Sequence, residues 1–201
     1  MRVGLEAGVM SDRICLMEEN ELIERSKRGD LDCFNQLVEK YQQQVYNLCL
    51  RMLGSTHDAE DVTQDAFISA LRGIGRFRGG NFRAWLFRIA ANACRDQLRL
   101  LSRRPASSLD DLPVDLELED RHALSPEQYA INQELGEQIA RALASLPADQ
   151  RLAVILRDIM GLNYDEIAQA VGSSLGTVKS RISRGRERLR QLLKKDGELF
   201  P

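Results

Sequence analysis

The chain has 201 residues, 43% hydrophobic, 29% charged and only 5% aromatic, with a formal net charge of −2. No apolar run approaches the roughly 20 residues needed to cross a bilayer, so membrane insertion is not expected, and the N-terminus lacks the apolar block of a secretory leader. Four cysteines and two histidines lie at no metal-ligand spacing and form no C-x-x-C pair, so neither a zinc centre nor a disulfide framework is expected. Leu, Ala, Arg, Glu and Gln are abundant and there are five prolines, which favours helices over strands. The expectation is an all-α, cytoplasmic protein.

Residues 1–17 carry no periodic pattern and are expected to be poorly structured. From Glu18 to Arg28 a short amphipathic stretch holds Leu22 and Ile23. Gly29 then punctuates the chain, and Asp30 or Asp32 can cap the next helix. There Phe34, Leu37, Val38, Tyr41, Val45, Leu48, Cys49, Met52 and Leu53 recur at three- and four-residue steps, the period of a buried helical stripe. Gly54 stops it. Ser55 or Thr56 precedes a third helix, about 58–72, with Val62, Ala66, Phe67, Ala70 and Leu71 expected inward. Gly73, Gly75, Gly79 and Gly80 mark an irregular loop rich in arginine. A fourth helix, about 82–101, places Trp85, Leu86, Ile89, Ala93 and Leu98 on one face.

Pro105 breaks that pattern, and residues 105–125 read as a flexible acidic linker. Ser125, Pro126 and Gln128 form a helix-start signal, and the helix they open is expected to bury Ile131, Leu135, Ile139 and Leu143. Pro147 starts another, carrying Leu152, Ile155, Leu156 and Ile159 and stopped by Gly161. Asn163 or Asp165 opens a short helix with Ile167, Ala168 and Val171, ended by Gly172. A last helix from about 175 repeats Val178, Ile182, Gly185, Leu189 and Leu192. Two helical domains are expected, 18–104 and 126–195, joined by the linker.

The charges are unevenly spread. Nine arginines lie between Arg72 and Arg104 against the single acid Asp96, and eight basic residues lie between Lys179 and Lys195 against Glu187 alone. Six acids and no base occupy 110–120. A near-neutral total therefore hides two basic surfaces and an acidic tether. Residues 163–190 read as a helix-turn-helix: a short helix, a glycine suited to a sharp left-handed turn, then a basic helix whose N-terminal end can enter a major groove. Thr177, Lys179, Ser180, Ser183 and Arg184 fall on its exposed faces, where Lys and Arg can donate to guanine and Ser is less selective. Arg181, Arg186, Arg188 and Arg190 suit phosphates, which supply affinity more than sequence choice.

Asp165–Arg190, DEIAQAVGSSLGTVKSRISRGRERLR, closely resembles region 4 of the extracytoplasmic-function (ECF) sigma factors, although response-regulator output domains share a similar helix-turn-helix. AEDVTQDAF (Ala59–Phe67) resembles their region 2.2 and FRAWLFRIAANACRDQLR (Phe82–Arg99) their regions 2.3–2.4, in family order. The resemblance covers about 18–193. It implies that Asp61, Gln64 and Asp65 face the β′ clamp of core RNA polymerase. It also implies that 75–82 is the loop that receives a flipped promoter base. Arg78, Gly80, Asn81, Phe82, Arg88, Asn92 and Arg95 would then meet the single-stranded −10 element. Region 4 would dock on the β flap and read the duplex −35 element with Thr177, Lys179, Ser180, Ser183, Arg184 and Arg186. An anti-sigma factor is the expected regulatory partner.

Several residues carry two readings. Trp85 suits core packing better than base stacking, and Asn92 offers both a donor and an acceptor to a base edge. Fully extended, residues 105–125 reach at most about 70 Å, enough to hold two domains on separate promoter elements. No P-loop, paired-carboxylate site or nucleophile–base motif is visible, so neither an enzyme nor a cofactor is expected. A helix-turn-helix regulator with an N-terminal effector domain remains the other reading. A recombinase would need a catalytic cluster beside the basic loop.

Overall fold

The computed structural model describes residues 18–103 and 126–195; the expectations for 1–17 and 105–125 lie outside the described residues. Among the described residues the chain forms eight α-helices: α1 (Glu19–Lys27), α2 (Leu31–Leu53), α3 (Thr56–Gly73), α4 (Phe82–Arg103), α5 (Pro126–Ala144), α6 (Ala148–Val154), α7 (Tyr164–Val171) and α8 (Leu175–Lys195). One 3₁₀ turn, Ile74–Arg76, follows α3, and a π turn, Ile155–Ile159, continues α6. No described helix is long and apolar enough to cross a membrane.

Local chemistry sets the helix ends. Asp30 caps α2, its Oδ1 accepting from the Cys33 amide at 3.1 Å, while Arg25 Nε and Nη2 donate to Oδ2 at 2.9 and 2.6 Å. Ser55 caps α3 through the Asp58 amide at 3.2 Å. Asn163 and Glu166 make a reciprocal capping box on α7, each side chain taking the other residue's amide. Gly54 and Gly172 end α2 and α7 in the left-handed conformation, at φ 75° and 65°.

The Asp30 cap makes stability depend on pH. The Cys33 amide first, and then Arg25, hold its carboxyl below the usual aspartate range. Stabilisation from such a group is present above its unfolded pKa and lost as pH falls through the lowered folded value. Thermal melts followed by circular dichroism should show the midpoint dropping below the ordinary aspartate range. Asp30→Asn keeps a capping oxygen but removes the titration, so the acid slope should flatten; an unchanged slope would rule this cap out as a source.

In the first half, α2, α3 and α4 pack together and α1 lies along α2. The core holds Leu37, Val45, Leu48 and Met52 of α2, Val62, Ala66 and Ala70 of α3, and Leu86, Phe87, Ala90 and Cys94 of α4. Cys33, Cys49 and Cys94 are buried free thiols. In the second half, α6 crosses α8 closely at Gly185, and α7 rests on α8. Its core holds Leu143, Leu152, Ile155, Leu156, Ile167, Val178 and Ile182.

Three residues expected inward are exposed. Leu71 is 38% exposed because α3 buries only the narrow stripe of Ala59, Val62, Ala66 and Ala70, and position 71 falls on its flank. Ile159 points outward because the wider π turn breaks the 3.6-residue phase that would have placed it below Ile155. Ile139 of α5 also stands exposed, on the flank away from buried Ala142 and Leu143.

Candidate nucleic-acid interface

The loop between the 3₁₀ turn and α4 is built on aromatic rings. Phe77, Phe82 and Trp85 meet at centroid distances of 5.3–5.6 Å, and Tyr41 joins Phe82 at 5.8 Å. Phe82 is 2% exposed, its ring forming the floor of the loop beneath the other residues expected at the strand. Trp85 packs into the same cluster, in line with the core reading. Above it Gly79 and Gly80 take φ of 90° and 93°, conformations that side chains rarely adopt, and this turns the backbone back toward α4.

Asn81 caps α4, its Oδ1 accepting from the Ala84 amide at 2.9 Å. That bond occupies the amide oxygen, and the NH₂ group donates to Glu166 Oε1 of α7. A hollow of about 520 Å³ opens beside it, walled by Arg76, Arg78, Asn81, Trp85 and Arg88, and by Gln169 of α7. Asn92 is exposed one turn beyond Arg88, and its Oδ1 accepts from Arg95 at 3.2 Å. Of the seven residues expected at the −10 strand, Arg78, Gly80, Asn81 and Arg88 are exposed around this hollow, Asn92 is exposed but lines a separate hollow between α3 and α4, Arg95 is half-buried and Phe82 is beneath.

The second basic surface lies on α8. Ser174, missed in the sequence, caps this helix: its Oγ accepts from the Thr177 amide at 3.2 Å and shares a 2.9 Å bond with Thr177 Oγ1. The signal was present as a serine three residues before a threonine. Ser180 Oγ donates back to the Thr177 carbonyl at 2.9 Å. Lys179 Nζ sits 5.8 Å from the Tyr164 ring, which also carries Arg157 at 4.8 Å. Ser183 and Arg184 stand exposed on the next turn. Arg186 differs, because its guanidinium grips Asp158 in a two-point pair that also raises its pKa. Arg181 is likewise engaged, by Asp149 at 2.6 Å and Ser173 Oγ at 3.0 Å.

On α3, Asp61, Gln64 and Asp65 are all exposed, at the three- and four-residue spacing that puts them on one side of the helix. Gln64 lines a groove of about 640 Å³ between α2 and α3, whose walls include Phe34, Val38, Tyr46 and Phe67 and whose rim carries Leu31, Ile68 and Leu71. Asp65 lines a separate hollow between α3 and α4 with Arg72, Asn92 and Asp96. Asp61 Oδ2 lies 3.7 Å from His57 Nδ1. Sequence reading missed the apolar rim, where Leu31 is 58% exposed.

Residues 37–104 match the family Sigma-70 region 2, and residues 136–189 match Sigma-70, region 4. The chain is 40% identical over 182 residues to the RNA polymerase sigma-H factor of Pseudomonas aeruginosa, covering 88% of this chain and 94% of that protein. It is 41% identical over 176 residues to the ECF RNA polymerase sigma-E factor of Escherichia coli K12, covering 85% and 92%. The chain belongs to the ECF sigma factors. Among solved structures, CnrH in complex with the cytosolic domain of CnrY superposes with a TM-score of 0.67 at 29% identity, covering 89% of this chain and 99% of that one. The sigma factor RpoE bound to the anti-sigma factor NepR from Bartonella quintana gives 0.63 at 30% identity, covering 82% and 98%.

Membership in this ECF family makes the chain a transcription-initiation factor rather than a helix-turn-helix regulator with an effector domain. The basic surfaces on α4 and α8 fall in the two matched regions, which joins the charge pattern to the family's two sites of action.

Proposed function

We propose that this sigma factor reads the −10 element with the loop and α4 of the first half, and the −35 element with α8. The observation that carries this reading is the hollow beside Asn81, a concave site lined by three arginines and an amide next to a glycine turn. Such a site suits a base drawn out of its stack while cations hold the flanking phosphates. On α8 the exposed Lys179, Ser183 and Arg184 take the base edges, with Thr177 and Ser180 beside them. Arg186 serves phosphate once it leaves Asp158. Asp61, Gln64 and Asp65 dock on the β′ clamp, and the apolar rim around Gln64 supplies contact area to the same partner. The second half docks on the β flap, and the 105–125 segment tethers the two.

Opening is driven by binding, since unstacked −10 bases are held by the loop and no step of bond chemistry is assigned to this chain. It acts in the cytoplasm, where polymerase and promoters meet. Two of its structural neighbours are described in complexes, with an anti-sigma factor and with the cytosolic domain of CnrY. An anti-sigma factor covering the polymerase-facing surfaces is therefore the proposed regulator here.

Run-off transcription with core polymerase on a promoter library tests the whole reading; no initiation on any promoter would reject it. Within it, Lys179→Ala and Arg184→Ala should each weaken −35 use by about 1–3 kcal/mol, roughly tenfold or more in promoter affinity. Core binding, followed by fluorescence anisotropy, should not change. Equal loss of core affinity would place these residues at the polymerase instead.

A further inference from the structure

One cation that α8 offers to DNA rests on an aromatic ring. Lys179 Nζ lies 5.8 Å from the ring centroid of Tyr164, the first residue of α7, and the Arg157 guanidinium lies 4.8 Å from the same ring. The two cations are held differently. Arg157 is half-buried, and its Nη1 donates to the Leu162 carbonyl at 2.9 Å, which fixes the guanidinium beside the ring. Lys179 is exposed, on a flexible four-carbon stem. Tyr164 itself is half-buried against the core of the second half and follows the Asn163 cap directly, so the ring is anchored on a rigid element.

The neighbouring arginines of α8 are ordered in another way. Arg181 donates to Asp149 and Arg186 to Asp158, so each meets a carboxylate. A carboxylate orders a cation but neutralises it and occupies its N–H groups. The face of an aromatic ring attracts a cation through its quadrupole alone. An ammonium held there keeps its full charge and its donors, which is what a side chain that reads a base edge needs. Arg157 and Asp158 both lie in the π turn Ile155–Ile159, so this widened turn sends one arm to the ring beneath Lys179 and one to Arg186.

We propose that Tyr164 is a positioning residue for −35 reading: its ring, braced by Arg157, presets the Lys179 ammonium at the N-terminal end of α8 without neutralising it. The inference rests on the reading of Lys179 as a base contact. A lysine ordered before it meets DNA loses less freedom on binding. That gain applies where the preset position matches the base, so loss of the ring lowers selectivity for the −35 sequence. The general attraction to phosphates, carried by Arg186, Arg188 and Arg190, stays as it was.

The test uses holoenzyme made with the full chain and two duplexes. One carries a promoter that the wild-type holoenzyme opens, and the other differs only in a scrambled −35 element. The ratio of the two affinities, read by anisotropy, is the selectivity. Tyr164→Leu keeps apolar packing without a ring and should lower the ratio about threefold to tenfold. Tyr164→Phe keeps the ring and should change it less than about twofold. The slope of log affinity against log salt should not move in either variant, because no charge is lost. In a Lys179→Ala background, Tyr164→Leu should change the ratio no further. Phenylalanine bearing one, two or three ring fluorines at position 164 keeps the shape of the ring while draining charge from its face. Selectivity should then fall stepwise with fluorination, in proteins that fold alike.

Equal weakening on both duplexes would make Tyr164 a packing residue and overturn the proposal. So would a Tyr164→Phe loss as large as that of Tyr164→Leu, losses that add to Lys179→Ala, or indifference to fluorination. Lys179→Ala alone tests the underlying reading. Selectivity that survives it rejects Lys179 as a base contact and this inference with it; a loss there with none in Tyr164→Leu rejects the positioning role alone.

Discussion

Gly185→Ala should destabilise the second half by about 1–2 kcal/mol, although alanine ordinarily stabilises a helix interior by about 1 kcal/mol relative to glycine. Gly185 lies within α8, buried where that helix crosses α6. A Cβ there would come within 2.6 Å of Val154 Cγ2 and 3.3 Å of the Gln150 carbonyl oxygen. Val154 is buried and β-branched, so its side chain has little freedom to turn aside. The helices must separate, and the contacts of Leu152, Val178 and Ile182 would loosen with them. Gly185→Leu should cost about 3 kcal/mol or more on the same argument. Gly176, two residues into the same helix, is the contrast: the nearest atom to a Cβ there is Ser174 Oγ at 4.0 Å. Gly176→Ala should therefore be neutral or stabilising by up to about 1 kcal/mol. Urea unfolding followed by circular dichroism reads both, and opposite signs at the two glycines are the expected outcome. A stabilised Gly185→Ala protein would show that the α6–α8 crossing is looser than the structure describes.

Reversing charge at the proposed polymerase face should have the largest effect on function. Asp61→Arg with Asp65→Arg replaces two exposed carboxylates on α3 without touching its buried stripe. Helix content and thermal midpoint should barely move, since surface substitutions of this kind usually change stability by less than about 0.5 kcal/mol. Affinity for core polymerase should fall about 100-fold, because like charges brought together at an interface cost several kcal/mol. Anisotropy titration of labelled sigma factor with core enzyme measures it. Binding of a −35 duplex by the second half should be unaffected, which separates a docking defect from misfolding. Full retention of core affinity would move the docking surface elsewhere, with the Leu31, Ile68 and Leu71 rim as the next place to look.

These experiments divide along what each kind of information could reach. Helix positions were legible wherever a cap and a periodic stripe agreed, as with Asp30 before the α2 stripe or Asn163 and Gly172 around α7. They were legible because capping bonds and the 3.6-residue period are local, decided within a few residues of chain. Exposure at the edge of a stripe was not. Whether Leu71, Ile139 or Ile159 is covered depends on the width of the neighbouring helix face and on a π turn, neither of which a one-dimensional pattern records. The burial of Phe82 was not legible for the same reason: it begins α4 beside the basic loop, yet the rings of Tyr41, Phe77 and Trp85 close over it.

The sequence by itself determined an all-helical chain with two basic surfaces and motifs, in family order, that identify an ECF sigma factor. Those features rest on residue type and short spacing. Tertiary structure alone decided which basic residues are uncommitted, because Arg181, Arg186 and Arg95 find carboxylates 28 to 54 residues away in the chain. It also decided that Asn81 spends its oxygen on a helix cap and its NH₂ group on Glu166. Contacts between groups so far apart in sequence arise from packing, and no local pattern of residues encodes them.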